Sequence, residues 1–115
     1  MSRIKIKFGK KSFLIPARKA YFFGKVFGLM FKSRNTSNLI FDFKRDTCAG
    51  IHSLFVFFPF MAIWLDEKNN VLEWDIVPPF SLCTSSPKIF RRIVEVPLNN
   101  RNKKIVEFFV GSRKV

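Results

Sequence analysis

The sequence predicts a small, mainly β protein, a compact antiparallel β-sandwich or barrel of jelly-roll type with one short helix near residues 16–27. Short apolar segments recur at regular spacing between turns that contain proline and asparagine, which is typical of sandwiches and barrels. The hydrophobic content of 48% and the 16 phenylalanines exclude a disordered chain. The length of 115 residues fits a single domain.

The most apolar part of the chain is residues 51–66, with no charged side chain from residue 54 to residue 65. A membrane-spanning helix needs about 20 apolar residues, so this segment is too short to be one. A buried helix has the right length but would carry Pro59 in its interior, which costs roughly 3 kcal/mol. The Phe, Val, Ile and Trp content favours two buried strands, residues 54–58 and 60–66, with Pro59 at the bend.

A β-hairpin is predicted directly after this apolar segment. Residues 66–70 are polar and contain two asparagines, and residues 71–77 then alternate between apolar and polar side chains. In that second strand Leu72, Trp74 and Ile76 share the face that we expect to be buried.

The N-terminus predicts a second, strongly basic hairpin over residues 2–15. Residues 2–8 alternate, so that three cations point to one side and three apolar side chains point to the other. Gly9 begins the turn, and residues 12–15 form the return strand. Pro16 is interpreted as the first residue of a helix that runs to residue 27, with an apolar face toward the core and a basic stripe toward solvent.

The remaining elements are short strands. We expect them at residues 39–43, 80–83, 89–96 and 105–110, which completes a β core from residue 38 to residue 110. Residues 111–115 are predicted to be a basic tail that frays.

Positive charge is the compositional outlier. The net charge is +13 with a pI near 10.4, and the first 40 residues hold ten Lys and Arg but no Asp or Glu. Such a field attracts polyanions, either nucleic acid or an anionic membrane surface. We expect phosphate contacts from Lys and Arg to set affinity and salt dependence. The candidate contacts are Arg3, Lys5, Lys7, Lys10, Lys11, Arg18, Lys25, Arg91, Arg92, Arg101, Lys103 and Lys104.

The sequence gives little support for catalysis, a metal or a cofactor. Cys48 and Cys83 lack metal-ligand spacing, and thiols of this kind favour a reducing, cytoplasmic location without a secretory signal. No nucleophile elbow, glycine-rich phosphate loop or paired-histidine motif is present. A non-enzymatic binding module is therefore predicted. An alternative is a small-ligand pocket with His52 and Asp66 at its mouth, although Asp66 ahead of two asparagines is also typical of a turn.

A series of short motifs runs through most of residues 16–110 in a fixed order. They are Gly28-Leu29-Met30-Phe31, Leu39-Ile40-Phe41-Asp42-Phe43, Ile51-His52-Ser53, Phe58-Pro59, Ile63-Trp64-Leu65-Asp66 and Ile93-Val94-Glu95-Val96-Pro97. In order and spacing they resemble the archaeal members of an uncharacterised family, the domain of unknown function 192.

The resemblance implies a compact β-sandwich or barrel of jelly-roll type with a small helix, and it brings no established activity. Family members similar to this chain carry Met-Arg ahead of the Phe-Pro motif and an acid shortly after it. Here those positions are Val56, Phe57 and Met61. If that Arg and acid form a working site in the family, this chain lacks it, while His52 and Asp66 match the pattern.

Overall fold

A six-stranded sheet forms the body of the protein in the computed structural model, which describes residues 2–20, 36–47, 58–79 and 89–112. The sheet is mixed and curled into a half-barrel, with strand order β1-β2-β3-β6-β4-β5. A 3₁₀ turn and one α-helix follow it. The elements are β1 (Ser2–Phe8), β2 (Lys11–Ala20), β3 (Leu39–Thr47), β4 (Phe60–Leu65), β5 (Val71–Val77), β6 (Phe90–Pro97), the 3₁₀ turn (Asn100–Asn102) and α1 (Lys103–Ser112).

The basic N-terminal hairpin is confirmed. β1 and β2 pair antiparallel from Ser2↔Ala17 to Phe8↔Lys11. Gly9 opens the two-residue turn with a φ of 63°, a conformation that glycine adopts without the steric penalty of a Cβ.

The helix predicted from Pro16 is wrong at its start, because β2 continues to Ala20. The carbonyl of Pro16 points away from β1 and accepts a hydrogen bond from the Asn38 side chain at 2.9 Å. The missing N–H of proline is therefore not needed in the ladder with β1, so the residue fits a strand at this place. Residues 21–27 of the predicted helix lie outside the described residues.

The prediction of a purely antiparallel sheet is also wrong. β2 and β3 run parallel, with Arg18 opposite Leu39 and Ala20 opposite Phe41. A parallel pair cannot be joined by a tight turn and needs a crossover connection, which local sequence patterns do not reveal. The other ladders, β3–β6, β6–β4 and β4–β5, are antiparallel.

β4 lies inside the protein, and all six of its residues are buried. This confirms the strand predicted at residues 60–66, while residues 54–57 of the preceding predicted strand lie outside the described residues. Alternate side chains of β4 enter two hydrophobic clusters on opposite faces of the sheet. We call the cluster that contains Met61 and Ile63 the inner cluster, because β1, β2 and α1 also contribute to it, and the one that contains Phe60 and Trp64 the outer cluster.

The hairpin predicted after β4 is confirmed. Trp74 and Ile76 pack with the inner cluster as expected, but Leu72 packs against the outer cluster. The register shifts between Trp64 and Leu65, which leaves Leu72 as the extra residue of a bulge and turns it to the other face.

The end of this hairpin meets the first strand and closes the curl of the sheet. The backbone N–H of Lys7 donates to the carbonyl of Asn69 at 2.9 Å, and Lys7 and Asn70 form a parallel bridge. Asn69 has a φ of 64°, in the left-handed region that asparagine tolerates well.

The last predicted strand, residues 105–110, is wrong, because this segment belongs to α1. Asn99 caps the preceding 3₁₀ turn by accepting the backbone N–H of Asn102 on its side chain at 3.0 Å. Phe109 is fully buried and contacts the rings of Phe8, Phe13 and Trp74, at centroid distances of 5.2, 5.7 and 5.8 Å. The helix therefore covers the inner cluster.

Two predicted strands in the middle of the sheet are present. The strand at residues 39–43 is confirmed and runs on to Thr47, and the strand at residues 89–96 is confirmed as β6. The strand predicted at residues 80–83 lies outside the described residues. Among the residues that are described, no helix is long and apolar enough to cross a membrane.

Candidate functional site

A row of cations occupies the outward face of β1. Arg3, Lys5 and Lys7 are all exposed, while Ile4 and Ile6 between them are buried. Residues two apart on one face of a strand are about 6.6 Å apart, so the row presents evenly spaced positive charge. We call Arg3, Lys5 and Lys7 the β1 row.

The neighbouring strand adds a fourth cation and no acid to this face. Opposite the β1 row lie Pro16, Leu14 and Ser12, and Arg18 continues the same face of β2. Residues 2–20 contain seven Lys and Arg and no carboxylate. A polyanion that approaches the hairpin therefore meets no acidic side chain belonging to it.

The acidic residues of β5 lie beyond the Lys7–Asn70 bridge, on the side away from Arg3 and Lys5. Because Lys7 and Asn70 form a parallel bridge, residues after Asn70 run alongside residues after Lys7. Glu73 and Asp75 therefore lie toward the turn of the hairpin and beyond it, away from Arg3 and Lys5. The acids of β5 thus lie nearer the hairpin turn than Arg3 and Lys5 do, while Lys7 adjoins the turn that carries Asp66 and Glu67.

The other predicted polyanion contacts are distributed over three places. Lys10 and Lys11 are exposed at the hairpin turn, and Arg101, Lys103 and Lys104 are exposed at the start of α1. Lys11 and Lys104 line one groove between β2 and α1, so two cations far apart in sequence are brought together. Arg91 is half-buried on β6, and Lys25 lies outside the described residues.

Arg92 of β6 bonds with the neighbouring strand β3 and with the β4–β5 turn. Its Nε lies 3.0 Å from Oδ2 of Asp42 on the adjacent strand β3. Its Nη1 donates to the Asn69 side-chain oxygen at 2.9 Å and to the Glu67 carbonyl at 3.0 Å. With these partners Arg92 connects two strands to the β4–β5 turn, and a phosphate would have to compete with them.

Asp66 organises the β4–β5 turn. One carboxylate oxygen accepts the backbone N–H groups of Lys68 and Asn70, each at 2.8 Å, and the other accepts the Asn70 side chain at 3.0 Å. Burial raises the pKa of Asp66, but these hydrogen bonds and the Lys68 charge outweigh it and hold the pKa below the ordinary value of 3.8. The carboxylate oxygens are thus used within the turn.

The predicted pocket beside His52 and Asp66 stays a prediction. His52 lies outside the described residues, and the geometry around Asp66 is that of a turn residue. In the part of the chain that the structure describes, no group of three His, Cys, Asp or Glu is placed to hold a metal ion.

Two polar groups on the outer-cluster face were not expected from the sequence. Glu95 is only 6% exposed and lies between Leu39 and Ala62 on the neighbouring strands. On the same face, the indole Nε1 of Trp64 is buried and has no hydrogen-bond partner among the residues that the structure describes. A glutamate is rarely buried in a hydrophobic core, and a buried indole N–H usually has a partner. The one signal in the sequence was a glutamate inside the apolar run of residues 93–96.

Comparison with solved structures shows where this fold has been seen before. The chain is similar to a protein of unknown function from Novosphingobium aromaticivorans DSM 12444, with a TM-score of 0.71 and 13% identity over 89% of this chain and 76% of that one. It is also similar to a protein from Sinorhizobium meliloti 1021 described as "a putative transcription regulator", with a TM-score of 0.75 and 14% identity over 90% and 84% of the two chains. No protein-family model and no curated protein matches the sequence. At this level of identity the two structures show a shared fold and carry no statement about activity.

Proposed function

We propose that the protein is a non-enzymatic binding module that binds a polyanion through the outward face of the β1–β2 hairpin. Nucleic acid is the polyanion that we propose. The observation that carries this proposal is the β1 row, three exposed cations at regular spacing on a hairpin without a single acid. Lys and Arg contacts to phosphates supply affinity without reading the base sequence. We therefore expect binding that depends strongly on salt and weakly on sequence.

Several finer expectations belong to this proposal. We propose that the protein belongs with the domain of unknown function 192, that its strands are connected as in a jelly roll, and that it is located in the cytoplasm. The Sinorhizobium protein is described as "a putative transcription regulator", which is compatible with contact to nucleic acid. At 14% identity that description supports the proposal only weakly.

The test is a titration of a fluorescein-labelled, mixed-sequence single-stranded DNA oligonucleotide, read by fluorescence anisotropy at several salt concentrations. If each residue of the β1 row contacts one phosphate, the row contributes about −2 to the slope of log K against log salt concentration. The variant R3Q/K5Q/K7Q should lose that part of the slope. No binding to the wild-type protein at about 50 mM salt would refute the proposal.

A matched control separates a binding face from a general effect of charge. The variant K19Q/K68Q/K103Q removes the same charge from three exposed positions outside the β1 row; of these only Lys103 is a candidate contact from the sequence, and it lies at the start of α1. We expect it to keep most of the affinity and slope of the wild-type protein. Equal losses in the two triple variants would contradict a localised face and indicate binding by net charge alone. Polyglutamate as a competitor shows whether the face prefers nucleic acid to other polyanions.

A further inference from the structure

Among the described residues, one edge of β2 is unpaired over the first half of the strand. β2 pairs with β1 from Lys11 to Ala17, but on its other side it meets β3 only from Arg18 onward. Along residues 11–16 no strand of the described chain pairs with this second edge. Open strand edges can accept a further strand from another chain.

The direction of the free backbone groups follows from two hydrogen bonds. The N–H of Arg18 donates to the carbonyl of Asn38 at 2.8 Å, and the carbonyl of Pro16 accepts from the Asn38 side chain. Both groups point away from β1, and backbone groups alternate in direction along an antiparallel pair. Ser12 and Leu14 therefore also direct their N–H and C=O groups toward the open edge.

An apolar groove lies beside this edge. It has a volume of about 560 Å³ and lies between β2 and one face of α1. Leu14 is 56% exposed, which is unusual for a leucine in a strand of this sheet. The lining residues are Lys11, Ser12, Phe13, Leu14, Lys104, Ile105 and Phe108.

The groove carries positive charge at its rim, and the described residues that line it include no carboxylate. Lys11 and Lys104 are both exposed, and the Lys11 ammonium lies 5.6 Å from the centre of the Phe108 ring. The positive charge of the groove complements an acidic partner, since a carboxylate can form a charge-assisted hydrogen bond with Lys11 or Lys104. Apolar side chains of the same partner would cover Leu14, Ile105 and Phe108.

We propose that this groove docks an extended peptide segment of acidic and apolar residues, which adds to β2 as an extra strand. Strand addition uses main-chain hydrogen bonds for affinity and side-chain pockets for specificity. Here the edge at Ser12 and Leu14 offers the main-chain hydrogen bonds, and the groove offers the pocket for side chains. Pro16 has no N–H and ends the open edge, so the added strand is short. This surface adjoins the β1 row, because Leu14 lies opposite Lys5 across the hairpin, but its edge and groove lie on the other side of β2, against α1.

The probe is a fluorescein-labelled peptide of alternating Asp and Leu, titrated with the whole protein and read by anisotropy. One control peptide has Lys in place of Asp, and a second is N-methylated at alternate residues, so that it cannot donate along the edge. We expect saturable binding of the first peptide and at least about tenfold weaker binding of both controls. Equal affinity for the N-methylated peptide would overturn strand addition.

Protein variants locate the site. L14E and K104E should each weaken binding at least about tenfold, since one places a carboxylate beside the edge and the other reverses a rim charge. R3Q/K5Q/K7Q should bind the peptide as the wild type does, even though it loses oligonucleotide affinity. If that triple variant alone loses the peptide, the acidic segment binds the β1 row and the docking proposal is wrong. Absence of any peptide binding also overturns it, whatever the oligonucleotide result.

Discussion

Arg92 of β6 and Asp42 of β3 lie directly opposite each other in the sheet, with Nε of the arginine 3.0 Å from Oδ2 of the aspartate. The same guanidinium donates a hydrogen bond to the side-chain oxygen of Asn69. The backbone carbonyl of Asn69 in turn accepts a hydrogen bond from the backbone N–H of Lys7 in β1. One side chain thus links the middle of the sheet to the turn through which β5 meets β1.

Replacing Arg92 by Met should lower the free energy of unfolding by about 1–3 kcal/mol, because three hydrogen bonds are lost while the aliphatic stem is kept. Replacing Asp42 by Asn should lower it by less than about 1 kcal/mol, since the ion pair is partly exposed and screened by solvent. Urea denaturation followed by tryptophan fluorescence measures both. Equal effects of the two variants would show that the turn contacts contribute nothing.

The Asp66 turn predicts a dependence of stability on pH. The folded-state pKa of Asp66 is below its ordinary value of 3.8, so the charged form is favoured by folding. Its contribution is fully present at pH values above 3.8 and is lost as the pH falls through the folded-state pKa. The variant D66N should therefore be less stable than the wild type at neutral pH, by about 0.5–1.5 kcal/mol. This deficit should shrink in strong acid.

The measurement is the free energy of unfolding from urea titrations at neutral pH and at several values below 3.8. E67Q is the control, because Glu67 is an exposed acid of the same turn. We expect it to change stability by less than about 0.5 kcal/mol. A deficit of D66N that stays constant across the pH range would show that the carboxylate charge plays no part in the turn.

Sequence patterns predicted the elements whose partners are close in sequence. The alternation of residues 2–8 gave β1 and its basic face, and the Asn-containing turn after Asp66 gave the β4–β5 hairpin. β1 has one buried and one exposed face, so the side-chain period alone defines both the strand and its orientation. In β5 the period located the strand, but it did not reveal the bulge that turns Leu72 to the other face.

The failures have a common physical origin in contacts distant along the chain. Local sequence rules favour Pro16 as the first residue of a helix. In the structure the Asn38 side chain donates a hydrogen bond to the Pro16 carbonyl, and Pro16 lies in a strand. Apart from Glu107, residues 105–110 are β-branched or aromatic and favour a strand. Burial of Phe109 against β1, β2 and β5 nevertheless favours a helix here. The groove beside β2 needs that helix, so it could not be found before the helix was known.

Two glycines with free space around them should respond to alanine in opposite ways. A Cβ at Gly9 or Gly111 would meet no atom within 4 Å, so only backbone conformation decides the outcome. Gly9 has a φ of 63°, and we expect G9A to lower the free energy of unfolding by about 1–2 kcal/mol. Gly111 lies in α1, where G111A should raise it by up to about 1 kcal/mol. Thermal unfolding monitored by circular dichroism checks both, and a loss in G111A would contradict the helix at this position.

Phe109 is the residue through which α1 is fixed to the sheet. It is fully buried and contacts rings from β1, β2 and β5, so F109A should lower the free energy of unfolding by about 3–5 kcal/mol. F109L keeps much of the apolar volume and should lose only about 1–2 kcal/mol. Chemical denaturation of the two variants at neutral pH gives both values. A loss below about 1 kcal/mol in F109A would mean that the helix does not cover the inner cluster, and the groove between α1 and β2 would then lose one of its walls.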